Sequence, residues 1–231
     1  VELLTPSINE QKAIANFLDQ KTAVIDDLIA DKEKLIELLQ EKRQAIITEA
    51  VTKGLNPNVR MKDSGIEWIG EIPEHWEFRR ISHICALGRG RVISKIEIAE
   101  NEGEYPVYSS QTENNGVLGY INTYDFEGDY ITWTTDGANA GTVFRRTGRF
   151  NCTNVCGTLK SKENNLDLSY LTYALSLETK RYVRLDINPK LMNNEMAKIR
   201  VLFPPSDEQK AIANFLDQKT AEIDALIADK E

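Results

Sequence analysis

The sequence of 231 residues lacks the features that mark membrane and secreted proteins. It has no run of about 18 apolar residues that could span a membrane, and its N-terminus has neither the basic nor the apolar region of a signal peptide. Its three cysteines are an odd number and favour reduced thiols over a disulfide framework. We therefore expect a cytoplasmic protein.

Signals for metal binding and catalysis are also scarce. Cys152 and Cys156 are close in sequence, but His75 and His83 are distant from them, whereas a zinc site needs four ligands, usually in close pairs. No phosphate-binding loop spacing occurs. The segment FPPS lacks the leading amide or carboxylate and the trailing aromatic residue of the adenine methyltransferase tetrapeptide. The sequence predicts no catalytic residue, no metal ligand and no cofactor in this chain.

The net charge of −8 is concentrated at the two ends of the chain. Residues 1–54 carry −3 and residues 206–231 carry −4, whereas residues 55–205 carry only −1. Basic residues in the middle region cluster twice, as Arg79, Arg80, Arg89, Arg91 and Lys95, and as Arg145, Arg146 and Arg149. On charge alone, these clusters fit a basic binding face and a solvated surface equally well.

One segment occurs twice. Residues 10–33 and 208–231 are identical at 22 of 24 positions. A short apolar lead precedes each copy, VELL at 1–4 and IRVL at 199–202, and we expect each lead to be strand-like and each copy to be helical. Ser7 with Glu10, and Ser206 with Gln209, fit the capping box that satisfies free N–H groups at the start of a helix.

The first copy continues into a long amphipathic helix, predicted over about residues 9–53. About 44 residues would make a helix roughly 65 Å long, which is longer than a domain of about 150 residues is wide. Its apolar stripe should therefore pair with another helix. The stripe residues are Ile14, Leu18, Ile25, Leu28, Leu35, Leu39 and Ile46, with Ile212, Leu216, Ile223 and Leu226 in the second copy.

The region between the two copies has a different pattern. Short alternating segments at 105–110, 116–121, 129–135 and 142–146 predict strands. Leu168, Leu171, Ala174 and Leu175 lie at helical spacing and predict a helix over 166–183 that packs on the sheet. We therefore predict an α+β protein, with one mixed α/β domain at 55–205 between helical regions at 1–54 and 206–231, the second of them truncated.

Four segments, in this order, resemble the specificity (S) subunit of type I restriction-modification enzymes: SGIEWIGEIPEHWE, YPVYSSQTENNGVLGY, TTDGANAGTV and PPSDEQKAIANFLDQKTAEIDALI. The resemblance covers essentially the whole chain. A usual S subunit is similar to this chain doubled, with two target recognition domains and two conserved helical regions. This chain has one recognition domain between two conserved helices, so it resembles a half-subunit or the C-terminal half of a full one.

The resemblance implies a non-catalytic module that reads double-stranded DNA. In this family each recognition domain reads one half of a split target, and the conserved helices pair antiparallel as a spacer. A methyltransferase (M) subunit, which uses S-adenosylmethionine to methylate adenine, docks on the assembly, and a restriction (R) subunit for ATP-dependent cleavage is an open possibility. We expect a homodimer formed through the helices, with a palindromic bipartite target.

The expected DNA contacts lie in four polar segments: Arg89, Arg91 and Lys95; Ser109, Ser110 and Gln111; Thr134, Thr135, Asp136 and Asn139; and Lys190. Arginine can grip a guanine edge, Gln111 and Asn139 can pair with adenine, and Gly90 would let the backbone approach a phosphate. Arg145 and Arg146 are expected to be phosphate contacts or strand-edge charges. The alternative for each polar segment is a simple turn, because the same residue types form turns.

A second function remains open from the sequence. The chain could be a coiled-coil assembly or scaffold protein whose middle domain binds protein rather than DNA. Its acidic net charge mildly favours that alternative.

Overall fold

The computed structural model describes residues 5–185 and 188–230, so the lead predicted at 1–4 lies outside the described residues. The chain forms two compact units, residues 1–46 with 218–231, and residues 47–217. The boundary between the units falls inside the two long helices. The domain boundaries predicted from the sequence, at 54/55 and 205/206, instead coincide with helix ends.

The described residues form helices and strands in an α+β arrangement, as predicted. The helices are α1 (Ile8–Lys53), α2 (Ile81–Ile84), α3 (Lys95–Glu100), α4 (Leu168–Tyr182), α5 (Asn193–Met196) and α6 (Ser206–Ala228). The strands are β1 (Met61–Asp63), β2 (Glu71–Pro73), β3 (Glu77–Arg80), β4 (Cys85–Arg89), β5 (Glu102–Tyr108), β6 (Val117–Ile121), β7 (Phe126–Glu127), β8 (Tyr130–Thr134), β9 (Val143–Arg146), β10 (Arg149–Cys152), β11 (Cys156–Ser161) and β12 (Arg200–Phe203). A short 3-10 segment, Glu113–Gly116, precedes β6.

Helix α1 has 46 residues and begins one residue before the predicted start. At its N-terminus the capping box forms, because the Ser7 N–H donates to Glu10 Oε2 at 2.8 Å and the Glu10 N–H donates to Ser7 Oγ at 3.4 Å. At its C-terminus Gly54 adopts a positive φ of 75° and donates to the Ala50 carbonyl at 3.1 Å. This is the left-handed glycine cap that commonly ends a helix.

The capping box predicted at Ser206 and Gln209 was wrong. The Gln209 side chain is buried, accepts a hydrogen bond from the Asp167 N–H at 2.9 Å and donates to the Pro204 carbonyl at 2.8 Å. It is therefore occupied by the N-cap residue of α4 and cannot close a box with Ser206. The equivalent residue of the first copy, Gln11, makes the same bond to the Pro6 carbonyl, at 2.8 Å.

The first unit contains an antiparallel helix pair. Arg43 Nε lies 3.0 Å from Asp224 Oδ1, and Lys32 Nζ donates to the Lys230 carbonyl at 3.2 Å, so residue numbers rise along one helix as they fall along the other. Ile223 is 5% exposed in this pair. The antiparallel pairing expected from the resemblance is therefore present within one chain, between the second half of α1 and the end of α6.

The other stripe residues of the first unit are less buried than Ile223. Leu39 and Ile46 are half-buried, and Leu35 and Leu226 are exposed. The four stripe residues in the first half of α1 are also exposed in the single chain: Ile14, Leu18, Ile25 and Leu28.

The second unit contains two four-stranded sheets, with strand orders β6-β5-β10-β7 and β4-β11-β8-β9, and two small ones, β1-β2 and β12-β3. Strand β10 runs parallel to β5, and β11 runs antiparallel to both β4 and β8. Consecutive strands β10 and β11 thus belong to different four-stranded sheets. The residues between them, 153–155, are called the junction loop below.

The core of the second unit is built on large aromatic side chains. Trp76, Trp133, Phe150 and Tyr170 are fully buried, and the Trp133 indole N–H donates to the Leu191 carbonyl at 2.9 Å. The helix predicted over 166–183 is α4, and all four of its predicted apolar residues are buried. Burial of such side chains contributes roughly 1.5–3 kcal/mol each.

The first half of α6 belongs to this second unit. Ile212 and Leu216 of the predicted stripe are 1% and 0% exposed. Polar contacts also join this half of α6 to the middle domain. Trp76 Nε1 donates to Glu208 at 2.9 Å, and the Tyr173 hydroxyl donates to Asp217 at 2.8 Å.

All three cysteine thiols are free and buried, as expected for reduced thiols. Burial raises the pKa of Cys85 to about 12. In the part of the chain that the structure describes, no group of three or more potential ligands could hold a metal ion. None of the described helices is both long enough and apolar enough to cross a membrane.

Candidate nucleic-acid interface

The strand directions place the predicted DNA-reading segments at one edge of the second unit. Strands β4 and β8 both run antiparallel to β11, so their C-terminal ends meet at the start of β11. Strand β5 runs parallel to β10, so its C-terminal end meets the end of β10. The junction loop links these two places. We call the junction loop together with residues 89–95, 108–111, 134–139 and 190 the reading edge.

Two backbone hydrogen bonds and one side-chain hydrogen bond hold three of the predicted segments against the junction loop. The Thr153 N–H donates to the Tyr108 carbonyl at 2.8 Å, and the Thr135 N–H donates to the Val155 carbonyl at 2.9 Å. The Arg89 side chain donates from Nε to the Asn154 carbonyl at 2.6 Å. Segments separated by up to about 65 residues in sequence therefore share one rigid support.

One cluster at the reading edge is organised by Asp136. Arg89 Nη2 lies 3.8 Å from Asp136 Oδ2, and Lys190 Nζ lies 3.9 Å from Asp136 Oδ1. The Thr135 hydroxyl donates to the same carboxylate at 3.1 Å. Arg89 and Lys190 keep roughly a third to a half of their side-chain surface exposed, 37% and 48%. Asp136 therefore positions two cations that remain accessible to an anionic partner.

A second cluster is centred on Arg91. Its guanidinium lies 2.6 Å from Glu97 and 3.0 Å from Asp125. The hydrogen bond to Glu97 raises the already high pKa of Arg91. Lys95 is exposed at the start of α3, whose N-cap Ser94 accepts the Glu97 N–H at 3.0 Å. The two carboxylates fix the orientation of Arg91, and a phosphate would have to compete with them.

The polar turn after β5 is also part of the edge. Ser109, Ser110 and Gln111 are all half-buried. The Gln111 carboxamide donates one N–H to the Val117 carbonyl, so only its second N–H and its oxygen remain for a base. Asn114 and Asn115 both adopt left-handed φ values, 47° and 52°, which makes this a tight turn. These residues therefore form the turn that their types predict, and this turn is part of the reading edge.

Thr134 and Thr135 require a correction. Both were expected to contact DNA, but their side chains are 1% and 0% exposed. Strand β8 lies between β11 and β9, and the Thr135 carbonyl is covered by the Leu191 N–H. Of the four residues predicted to contact DNA in this segment, only Asp136 and Asn139 are partly exposed.

Arg146 is also not the surface charge that the sequence suggested. It is 3% exposed and stacks on Tyr108, with the guanidinium carbon 3.6 Å from the ring centroid. Its Nε donates to Thr132 Oγ1 at 3.2 Å. Burial lowers the pKa of Arg146. Arg145, the next residue towards the N-terminus, is exposed and lies 3.7 Å from Asp129.

Gly90 has a different role from the one predicted. A Cβ atom at this position would lie 2.2 Å from the Cys152 carbonyl oxygen and 2.4 Å from that of Thr153. The absent side chain thus lets the backbone approach the end of β10 and the junction loop, rather than a phosphate. Any larger residue would push β4 away from that loop.

The junction loop was missed by the sequence reasoning. The segment NCTNVCG contains no basic residue, and its two cysteines were expected to be reduced thiols rather than part of a DNA-binding surface. Cys152 and Cys156 are buried at the two ends of the loop, and the pKa of Cys152 is raised by its hydrogen bond with Cys156 and by burial. No local sequence signal marks this loop, because its position follows from β10 and β11 belonging to different sheets.

Comparisons with known proteins agree with the fold. The family model described as "Type I restriction modification DNA specificity domain" matches residues 73–231. A putative type I specificity subunit of Mycoplasma pneumoniae is 49% identical over 139 residues, which cover 60% of this chain and 74% of that protein. Another from the same organism is 38% identical over 217 residues, covering 94% of this chain and 80% of the relative.

Solved structures show the same fold. The S subunit of a type I system from M. genitalium matches with a TM-score of 0.59 and 19% identity, covering 97% of this chain and 58% of that one. The HsdS subunit of Thermoanaerobacter tengcongensis matches with a TM-score of 0.60 and 14% identity, covering 98% and 54%. This chain therefore spans little more than half of the solved chains that it matches. With a family model that covers most of its length, the chain belongs to the type I restriction-modification DNA specificity family.

Proposed function

We propose that this chain is the DNA-reading, non-catalytic part of a type I restriction-modification enzyme. It binds double-stranded DNA at the reading edge, reads one half of a bipartite target and docks a methyltransferase subunit. The observation that carries this proposal is the convergence at the junction loop of polar segments that are far apart in sequence. Membership of the family supports it independently.

The chemistry of the reading edge suits a nucleic acid. Arg89, Arg91, Lys95 and Lys190 place four exposed or half-exposed cations along it. Half to two-thirds of protein–DNA hydrogen bonds go to phosphate and sugar and fix orientation, whereas base contacts specify sequence. Phosphates would replace Glu97, Asp125 and Asp136 as partners of these cations, so binding should weaken steeply as salt rises.

The partner subunits supply the reaction in this proposal. A methyltransferase subunit binds S-adenosylmethionine and methylates adenine, and a restriction subunit, where present, cleaves DNA with ATP. The chain contributes only the choice of sequence. The alternative of a protein-binding scaffold is not favoured, because the family and the reading edge both indicate DNA recognition.

The assembly proposed for this chain is a homodimer. The exposed apolar residues in the first half of α1 offer a face for a second copy: Ile14, Leu18, Ile25 and Leu28. Two copies related by a two-fold axis would present two identical reading edges. Such a dimer would select a palindromic target, with two inverted half-sites at a fixed spacing.

Selection from a randomised DNA pool tests the function. The chain is mixed with duplexes of random sequence, with and without the M subunit of its own system, and the shifted complexes are sequenced. We expect the complex with the M subunit to enrich one split sequence. Failure to enrich any split sequence would overturn the proposal.

A matched pair of variants ties the selection to the reading edge. Arg89→Ala should weaken binding to the selected duplex, because it removes a cation held at the junction loop. Arg200→Ala removes another exposed arginine, on β12 and outside the reading edge, and should leave binding nearly unchanged. Equal losses in the two variants would show that DNA is not bound at the reading edge.

A further inference from the structure

The junction loop places one side chain at the centre of the reading edge. Asn154 is exposed, whereas its neighbours Cys152, Thr153 and Cys156 are buried. The Asn154 carbonyl accepts the bond from Arg89 Nε, and the residues on either side make backbone bonds to Tyr108 at the end of β5 and to Thr135, which follows β8. Asn154 therefore lies in the loop that binds three of the segments predicted to touch DNA.

The carboxamide of Asn154 is not used by the fold. Within residues 5–185 and 188–230 it makes no hydrogen bond. Three nearby amides are engaged: Asn151 Nδ2 donates to the Thr123 carbonyl at 2.7 Å, Asn193 Nδ2 to the Gly88 carbonyl at 3.1 Å, and Gln111 to the Val117 carbonyl. These amides hold turns and strands in place, while Asn154 keeps its donor and acceptor pair for a ligand.

The backbone beneath this side chain is fixed on both sides. The Cys156 N–H donates to the Thr153 carbonyl at 3.0 Å and closes the turn. The Gly90 N–H donates to the Cys156 carbonyl at 3.0 Å, and the Arg91 N–H donates to the Cys152 carbonyl at 3.1 Å. A base-reading group gains specificity when its support is rigid before binding, because little ordering is then needed.

The geometry points to Asn154 as a specificity-determining residue that reads an adenine. Its carboxamide presents one N–H donor and one oxygen acceptor, the pair that matches adenine N7 and N6 in the major groove. Arg89, held to the carbonyl of the same residue, lies beside it and contacts the adjacent phosphate or guanine. This assignment rests on the proposed DNA-reading function and names one residue and one base within it.

The test is the same selection, performed with the whole chain and its M subunit, on the variant Asn154→Ala. We expect the variant to lose the preference for adenine at one position of each half-site, by roughly 5- to 150-fold, the range of a bidentate base contact. The other positions and the spacing should remain as in the wild type. Asn154 has no positive φ and no side-chain bond to lose, so alanine should fold there, and the thermal unfolding midpoint should confirm this.

Asn165→Ala provides the matched control. Asn165 is another exposed asparagine. It follows the C-terminal end of the six-residue strand β11, whereas the junction loop precedes the N-terminal end of that strand. This variant should keep the full wild-type preference. If Asn154→Ala also keeps every base preference, the inference is wrong although the proposed function stands. If the wild type itself selects no sequence, the proposed DNA-reading function is wrong, and the inference on Asn154 is wrong with it.

Discussion

Two regions of this chain have almost the same sequence and different surroundings. Residues 10–33 are exposed at every position, whereas residues 208–230 include buried positions in both compact units. Leu18 is 54% exposed and its counterpart Leu216 is 0% exposed, and Ile14 at 50% corresponds to Ile212 at 1%. The same apolar face is covered in one copy and free in the other.

In the second copy, this face packs against other residues of the same chain. In the second copy, Glu208 binds Trp76, Gln209 binds the Asp167 N–H, and Asp217 binds Tyr173. The first copy carries the same residue types at the equivalent positions 10, 11 and 19. It therefore keeps the complete set of polar and apolar groups for an interface, and in the proposed assembly a second chain uses that face.

The largest expected difference between the copies concerns the buried leucine. Leu216→Ala should lower the free energy of unfolding by about 2–5 kcal/mol, because it removes a fully buried side chain and leaves a cavity. Leu18→Ala should change it by less than about 0.5 kcal/mol when the chain is dilute enough to be monomeric. Urea denaturation at matched low concentration measures both.

This pair of variants is its own control, because both replace the same residue within the same twelve-residue sequence. Equal losses of stability would mean that the first copy is already covered within a single chain. That result would contradict the difference in burial on which the comparison depends.

A smaller difference in stability between the copies is expected for the equivalent glutamines Gln209 and Gln11. Gln209→Ala should destabilise the chain by about 1–3 kcal/mol, because it leaves the Asp167 N–H and the Pro204 carbonyl without a partner in a buried site. Gln11→Ala loses only an exposed bond to the Pro6 carbonyl and should cost little. Thermal unfolding of the two variants measures the difference, and an equal or larger loss of stability in Gln11→Ala would contradict it.

The smallest difference concerns a surface ion pair. Asp224 lies 3.0 Å from Arg43, with side chains 56% and 37% exposed, so Asp224→Ala should cost only about 0.2–1 kcal/mol. Its counterpart Asp26 forms no ion pair with the described residues, so Asp26→Ala should be neutral. Because salt screens exposed charges, 1 M NaCl should remove the difference between the two variants. A difference that persists in high salt would require another cause.

The sequence predicted the elements well where the physical signal was local. The period of three and four gave α1 to within one residue, and the apolar spacing gave α4 with all of its predicted buried residues. The capping box at Ser7 depends on neighbouring residues only and was confirmed. The similar pattern at Ser206 failed because a residue distant in sequence, Asp167, binds the Gln209 side chain.

The reading edge could be predicted only in part for the same reason. The polar segments were visible in the sequence, but their exposure depends on which strands lie inside the sheets. Thr134 and Thr135 are buried by neighbours of β8, and Arg146 is buried between aromatic rings. Asn154 had no local signal, since its position follows from β10 and β11 belonging to different sheets.

The mass of the particle in solution tests the central claim most directly. Light scattering of the purified wild-type chain at micromolar concentration should give twice the mass of one chain, and Leu18→Asp should give the mass of one chain. Val92→Asp, which alters an exposed apolar residue of the second unit, should remain a dimer. A wild-type chain that is monomeric, or a Leu18→Asp variant that still dimerises, would contradict the claim that the exposed copy of the repeat binds a second chain.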